Sequence, residues 1–153
     1  MERKEFLRSL GAGAAFALTF PCLQGCSKDD EGGDREIPSG VDFTIDLNSP
    51  NASPLNNLGG FIEVASNVSG GPTDIVVARN LEDELVAASL ICSHQGYAEV
   101  EFIQSDGGIF RCDVHGSRFA QNGTPLNQVD STPAKALKVF NTELNGSTLR
   151  VYE

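Results

Sequence analysis

Cys92-Ser93-His94-Gln95-Gly96 and Cys112-Asp113-Val114-His115-Gly116-Ser117, with 17 residues between His94 and Cys112, are the two segments on which the reading of this chain turns. The sequence has 153 residues but only two histidines, and both stand here. Of its four cysteines, Cys22 and Cys26 lie behind an N-terminal apolar stretch, so the other two also stand here. Each segment therefore offers one sulfur and one nitrogen at ligand spacing. Each also carries a glycine that lets the backbone close around a bound group.

Working outward, Glu99-Val100-Glu101-Phe102-Ile103-Gln104 and Ile109-Phe110-Arg111 read as the two strands of a hairpin, with a turn at 105–108. A hairpin brings its ends together, so the loops that bracket it must emerge side by side. From Val41 onward, apolar residues alternate or cluster in short runs broken by Gly, Pro, Asn and Asp, with no long helical period. The expected class is all-β, with strands near 41–47, 61–65, 74–79, 85–91, 98–104, 109–112, 136–142 and 148–152. Asp106-Gly107 and Asn145-Gly146 supply residues that tolerate positive φ in tight hairpin turns, and Asn122-Gly123 marks another turn.

Four donors in two loops admit several readings. A Cys92–Cys112 disulfide suits an exported chain and the hairpin geometry, yet it leaves both histidines unexplained. A tetrahedral zinc ion could take the same four ligands, although mononuclear zinc fingers rarely use the Cys-x-His arrangement. Histidines that were simply surface residues would make their spacing from the cysteines a coincidence.

The pattern Cys-x-His-x-Gly followed by Cys-x-x-His-Gly-Ser resembles that of the Rieske iron-sulfur family, over about residues 41–153 and most strongly between Cys92 and Ala134. The resemblance implies a Rieske-type antiparallel β-sandwich with two cluster-binding loops flanking the hairpin. It also implies a two-iron, two-sulfur (2Fe-2S) cluster, with Cys92 and Cys112 on the inner iron and His94 and His115 on the outer iron near solvent. Two neutral imidazoles in place of thiolates remove negative charge and raise the potential into a range of roughly −150 to +300 mV. Ser117 would donate its hydroxyl to a bridging sulfide and raise the potential further. Phe119 stands where high-potential members carry a tyrosine that bonds a cysteine sulfur. Pro133, in Thr132-Pro133-Ala134, matches a Gly-Pro-Ala turn that caps the cluster, with Thr132 in place of glycine. Gln95 adjoins His94 and is a candidate shield for it. High-potential members also tie the two loops by a disulfide where this chain has Tyr97 and Val114. One hydroxyl donor kept, one lost and no disulfide predict an intermediate potential.

Residues 1–25 read as an export signal: a charged start, an apolar stretch over 10–20, then Leu23-Gln24-Gly25 before Cys26. That ending resembles a bacterial lipobox, in which Cys26 is lipidated and anchors the chain to a membrane. The apolar run, interrupted by Pro21, falls short of the roughly 20 residues a helical span needs. Arg3-Lys4-Glu5-Phe6-Leu7-Arg8 follows a twin-arginine export pattern with lysine for the second arginine, a route that carries folded cargo. Residues 26–40 read as an acidic flexible tether and 41–153 as the folded domain. The formal net charge is −10, and removing 1–25, with Arg3, Lys4 and Arg8 against Glu2 and Glu5, leaves −11. That balance argues against nucleic acid as a partner.

No serine or cysteine nucleophile has a histidine left to activate it, and no glycine-rich phosphate loop is present. The expected function is therefore single-electron transfer by a membrane-anchored relay at the bacterial cell envelope, serving a redox partner protein, rather than a self-contained enzyme. Electrons would pass through the exposed edge of His94 or His115. Proton loss from the remote ligand nitrogens would make the potential fall as pH rises. Two rivals stand beside this: the small subunit of a larger extracytoplasmic oxidoreductase, and a zinc-binding structural lipoprotein.

Overall fold

The computed structural model describes residues 35–67 and 71–153. The export signal, Cys26 and the acidic run 27–34 lie outside the described residues. Among the described residues nine strands follow in order: β1 (Asp42–Asp46), β2 (Phe61–Val64), β3 (Ile75–Arg79), β4 (Leu85–Ser89), β5 (Val100–Ile103), β6 (Ile109–Cys112), β7 (Arg118–Phe119), β8 (Val139–Asn145) and β9 (Thr148–Tyr152). A 3-10 helix at Pro50–Asn56 precedes β2, and a shorter 3-10 turn at Ser105–Gly107 joins β5 to β6. The strands form two antiparallel sheets, one of six strands in the order β1-β9-β8-β4-β3-β2 and one of three in the order β5-β6-β7. The all-β expectation agrees with this architecture.

β3 explains why the two sheets pack as they do. Ile75-Val76-Val77-Ala78 is a continuous apolar run, and all four residues are fully buried, as expected for a strand covered on both faces. Because side chains alternate across a strand, Val76 and Ala78 join Phe102, Phe110, Phe119, Cys92 and Cys112 in one core. Ile75 and Val77 join Phe43, Leu55, Leu149 and Val151 in a second. The first core fastens the three-stranded sheet to the six-stranded one. Phe110, fully buried, meets Phe102 edge-on with ring centroids 5.5 Å apart. Burying such a side chain is worth about 1.5–3 kcal/mol. The cysteines are thus set at the rim of a rigid apolar layer.

Several boundaries differ from the sequence reading. The expected strand over 136–142 runs instead from Val139 to Asn145. Leu137 N–H is already taken by the Gly123 carbonyl, at 2.9 Å, and Ser89 N–H donates to the Lys138 carbonyl, at 2.8 Å, so this approach is held by loop contacts. At its other end β8 continues through polar residues because β9 supplies partners, Glu143 opposite Arg150 and Asn145 opposite Thr148. Asn145 is consequently a strand residue. Gly146 and Ser147 form the two-residue loop, and of the Asn145-Gly146 pair only Gly146 has positive φ, +61°. That is the type II′ solution rather than one using both residues. At the other hairpin Asp106 and Gly107 do both take positive φ, +58° and +83°.

Candidate metal centre

The β5–β6 hairpin is in register from Val100 opposite Cys112 to Ile103 opposite Ile109. Cys112 therefore ends its strand level with the start of β5, and Cys92 lies just upstream, past the isolated bridge between Ile91 and Ala98. Loop 92–97 and loop 112–117 leave the rim together, as the hairpin required.

The two loops share one backbone design. Cys92 N–H donates to the Tyr97 carbonyl at 2.7 Å, and Cys112 N–H donates to the Ser117 carbonyl at 2.8 Å. Gly96 N–H returns to the Cys92 carbonyl at 2.8 Å, and Gly116 N–H to the Cys112 carbonyl at 3.0 Å. Both glycines have left-handed backbone, φ +70° and +76°, which a residue with a Cβ adopts only at a cost. Folded this way, each loop turns backbone N–H groups toward its own sulfur. His94 and Gln95 point theirs at Cys92, and Val114 and His115 point theirs at Cys112.

Cys92 and Cys112 are both free thiols, 2 % and 1 % exposed, and in hydrogen-bonding contact with each other. The bond from Cys112, then the backbone N–H of His94 and the hydroxyl of Ser117, outweigh burial and lower the Cys92 pKa to about 6. Cys112, the partner that keeps the proton, is pushed up by the same bond and by burial. A group that withdraws both protons would meet two sulfurs already supplied with N–H donors, the usual arrangement for thiolate ligation.

The histidines complete the rim. Their rings stand edge to face with centroids 5.2 Å apart, and Tyr97 packs edge-on against His115 at 5.4 Å. Tyr97 thereby joins the first loop to the second. His115 is exposed, whereas the His94 side chain is 12 % exposed and its Nε2 lies 2.6 Å from Asp130 Oδ2. Among the described residues, His94 Nδ1 is buried with no hydrogen-bond partner. A buried lone pair without a donor is costly unless something occupies it, and a metal ion satisfies it. Among the described residues, no three His, Cys, Asp or Glu side chains converge on one ion position. Two thiols and two imidazoles on paired loops are the donor set of a two-iron centre with His₂ in place of Cys₂ on one iron.

A third loop, 126–135, closes over the rim. Asn127 accepts Arg118 N–H at 2.8 Å and donates to the Gly116 carbonyl at 2.9 Å, while Ser93 Oγ donates to the Lys135 carbonyl at 2.9 Å. Between this loop and the two Cys/His loops lies a small cleft, partly open to solvent, lined by His94, Ser117, Phe119, Thr132 and Pro133 among others. Ser117 is 5 % exposed and Phe119 3 % exposed, and Phe119 brings no donor to the sulfurs. Gln95 is exposed, and its contribution is its backbone N–H.

The family model of the Rieske [2Fe-2S] domain matches residues 62–141, just over half of the chain and all of this rim. This chain belongs to the Rieske [2Fe-2S] domain family. Membership brings a Rieske-type 2Fe-2S cluster and an electron-transfer role, and the thiol pair, the orphaned His94 Nδ1 and the N–H donors fit that cluster. Among solved structures, the fold is similar to a chain in the complex of reduced oxygenase and oxidized ferredoxin in carbazole 1,9a-dioxygenase. The identity is 22 %, the TM-score 0.52, and the match covers 74 % of this chain and 94 % of that one. Two further matches are the plasma membrane Rieske protein PetC3 of Synechocystis PCC 6803 (25 % identity, TM-score 0.41, 52 % and 76 % of the two chains) and the carbazole 1,9a-dioxygenase ferredoxin of Nocardioides aromaticivorans IC177 (19 % identity, TM-score 0.48, 65 % and 91 %). No curated protein matches the sequence.

Asp130 and Asn127 were not legible as Rieske-site residues from sequence. Asp130 stands three residues before Pro133, and its Oδ1 accepts Thr132 N–H at 2.7 Å, an Asx turn that an Asp-x-Thr-Pro run could have announced.

Proposed function

We propose that Cys92 and Cys112 hold one iron and His94 and His115 the other, and that the chain carries single electrons outside the cytoplasm, anchored to a membrane through a lipid on Cys26. The observation that carries the ligand assignment is the buried His94 Nδ1, without a partner among the described residues, beside two contacting thiols in matched loops. The anchor is supported by the Leu23-Gln24-Gly25-Cys26 sequence.

When bound, the cluster supplies a one-electron couple at a potential above that of all-cysteine ferredoxins. The remaining work falls to the chain. The bond from Cys112, the backbone N–H groups and the Ser117 hydroxyl favour the thiolate of Cys92. Phe119, Leu90 and Val100 exclude water behind the sulfurs. The exposed His115 ring offers the shortest path to a docked redox partner. With the Ser117 donor present and phenylalanine at 119, the potential is intermediate within the family range.

The test is metal analysis and spectroscopy of the full chain. His94→Ala and Cys112→Ala lose iron and the EPR signal of the reduced protein, and Gln24→Ala keeps both. Cys26→Ser releases the chain from membranes while leaving its cluster intact. Stable co-purification with a larger redox subunit would replace the stand-alone relay with a subunit role.

A further inference from the structure

The two imidazoles are unequally placed, and the difference traces to one carboxylate. Asp130 Oδ2 meets His94 Nε2 at 2.6 Å, while Oδ1 is held by Thr132 N–H at 2.7 Å and the Asp130 carbonyl accepts Gln128 Nε2 at 2.7 Å. The segment is further tied to the first ligand loop through Ser93 and to the second through Asn127. The carboxylate is thus fixed before any ligand arrives, and it accepts from His94. A carboxylate is an acceptor only, so in the neutral ring the proton of His94 sits on Nε2 and Nδ1 is the bare nitrogen, the buried atom that has no partner among the described residues. Among the described residues His115 has no such cap: it is exposed, and the rings of His94 and Tyr97 lie against it.

We propose that Asp130 is a positioning residue that fixes the His94 tautomer and covers its outer edge, lowers the reduction potential through its fixed negative charge, and leaves His115 as the sole open imidazole. The inference rests on the assignment of these two histidines as ligands. The sign follows from Coulomb's law: reduction adds negative charge to the centre, and a carboxylate bonded to one ligand opposes it.

Two measurements test the proposal. In the full chain, diethylpyrocarbonate modification mapped by peptide mass spectrometry is clean, because the sequence contains only two histidines. Modification at His115 with His94 protected is expected, and Asp130→Asn should expose His94. Equal modification of both in the parent chain would overturn the proposal. In the second, potentials are compared at one pH and ionic strength. Asp130→Asn should shift upward, Asp130→Glu should stay near the parent, and Asp46→Asn, which removes a remote carboxylate, should not move. An unshifted Asp130→Asn that keeps its full iron would also overturn it. If that variant loses iron, the parent modification pattern still decides. Absence of iron in the parent chain would instead strike the ligand assignment.

Discussion

Replacing Ser117 by alanine isolates one hydrogen bond in the proposed centre. The hydroxyl is buried, with the residue 5 % exposed, and it donates toward Cys92 Sγ. Hydrogen bonds to charged groups are worth about 1.5–3 kcal/mol, and only the part that strengthens on reduction enters the potential. The sulfur is negative in both oxidation states, so about half of that, roughly 0.75–1.5 kcal/mol, is taken as the share that changes on reduction. At about 59 mV for each 1.4 kcal/mol in a one-electron couple, Ser117→Ala should lower the potential by about 30–60 mV. The fold should survive, because the backbone bond from Cys112 N–H to the Ser117 carbonyl is unaffected. Protein-film voltammetry on variant and parent at matched pH reads the shift directly. An unchanged or raised potential in a variant that retains its full iron would refute the reasoning that this hydroxyl favours the reduced state.

Tyr97→Ala removes the ring that links the first loop to His115. At about 0.5–1.5 kcal/mol for an aromatic pair, iron loss to a chelator should accelerate about two- to tenfold, followed by the decay of visible absorbance. Asn127→Ala breaks two bonds to the second loop. It should destabilise the domain by about 1–2 kcal/mol in urea titration. Acid should loosen the β1 end of the six-stranded sheet. Arg150 beside Asp42, and Lys138 beside Glu153, hold those carboxyls below their ordinary range. Their stabilisation is therefore present above an ordinary carboxylate pKa of about 4 and is lost as pH falls through the lower folded values. Asp42→Asn should flatten that acid limb in thermal melts below about pH 4 and leave melting unchanged in its slope from pH 6 to 8.

What could be read from sequence was local. The loop spacing around Cys92 and Cys112, the apolar run Ile75-Val76-Val77-Ala78 and the Asp106-Gly107 turn each carry their meaning within a few residues. β6 and β9 begin and end where their patterns do. What escaped depended on partners distant in sequence. β7 is two residues long and exists because Phe119 and Arg118 pair with Phe110 and Arg111. β8 extends through Glu143-Leu144-Asn145 because β9 folds back on it. The 3-10 helix at Pro50–Asn56 is too short for a helical period, and its value lies in Leu55, fully buried in the second core. Asp130 lies 36 residues from His94, and only the path of the third loop brings them together.

The central claim is that two cysteines and two histidines of this chain share one 2Fe-2S cluster. Iron and acid-labile sulfide analysis of the purified full chain, joined to pulsed EPR of its dithionite-reduced form, tests it most directly. The account predicts two irons and two sulfides per chain and couplings from two imidazole nitrogens, with iron and signal both gone in His94→Ala. One zinc per chain with no iron, or a cluster without nitrogen couplings, would contradict it.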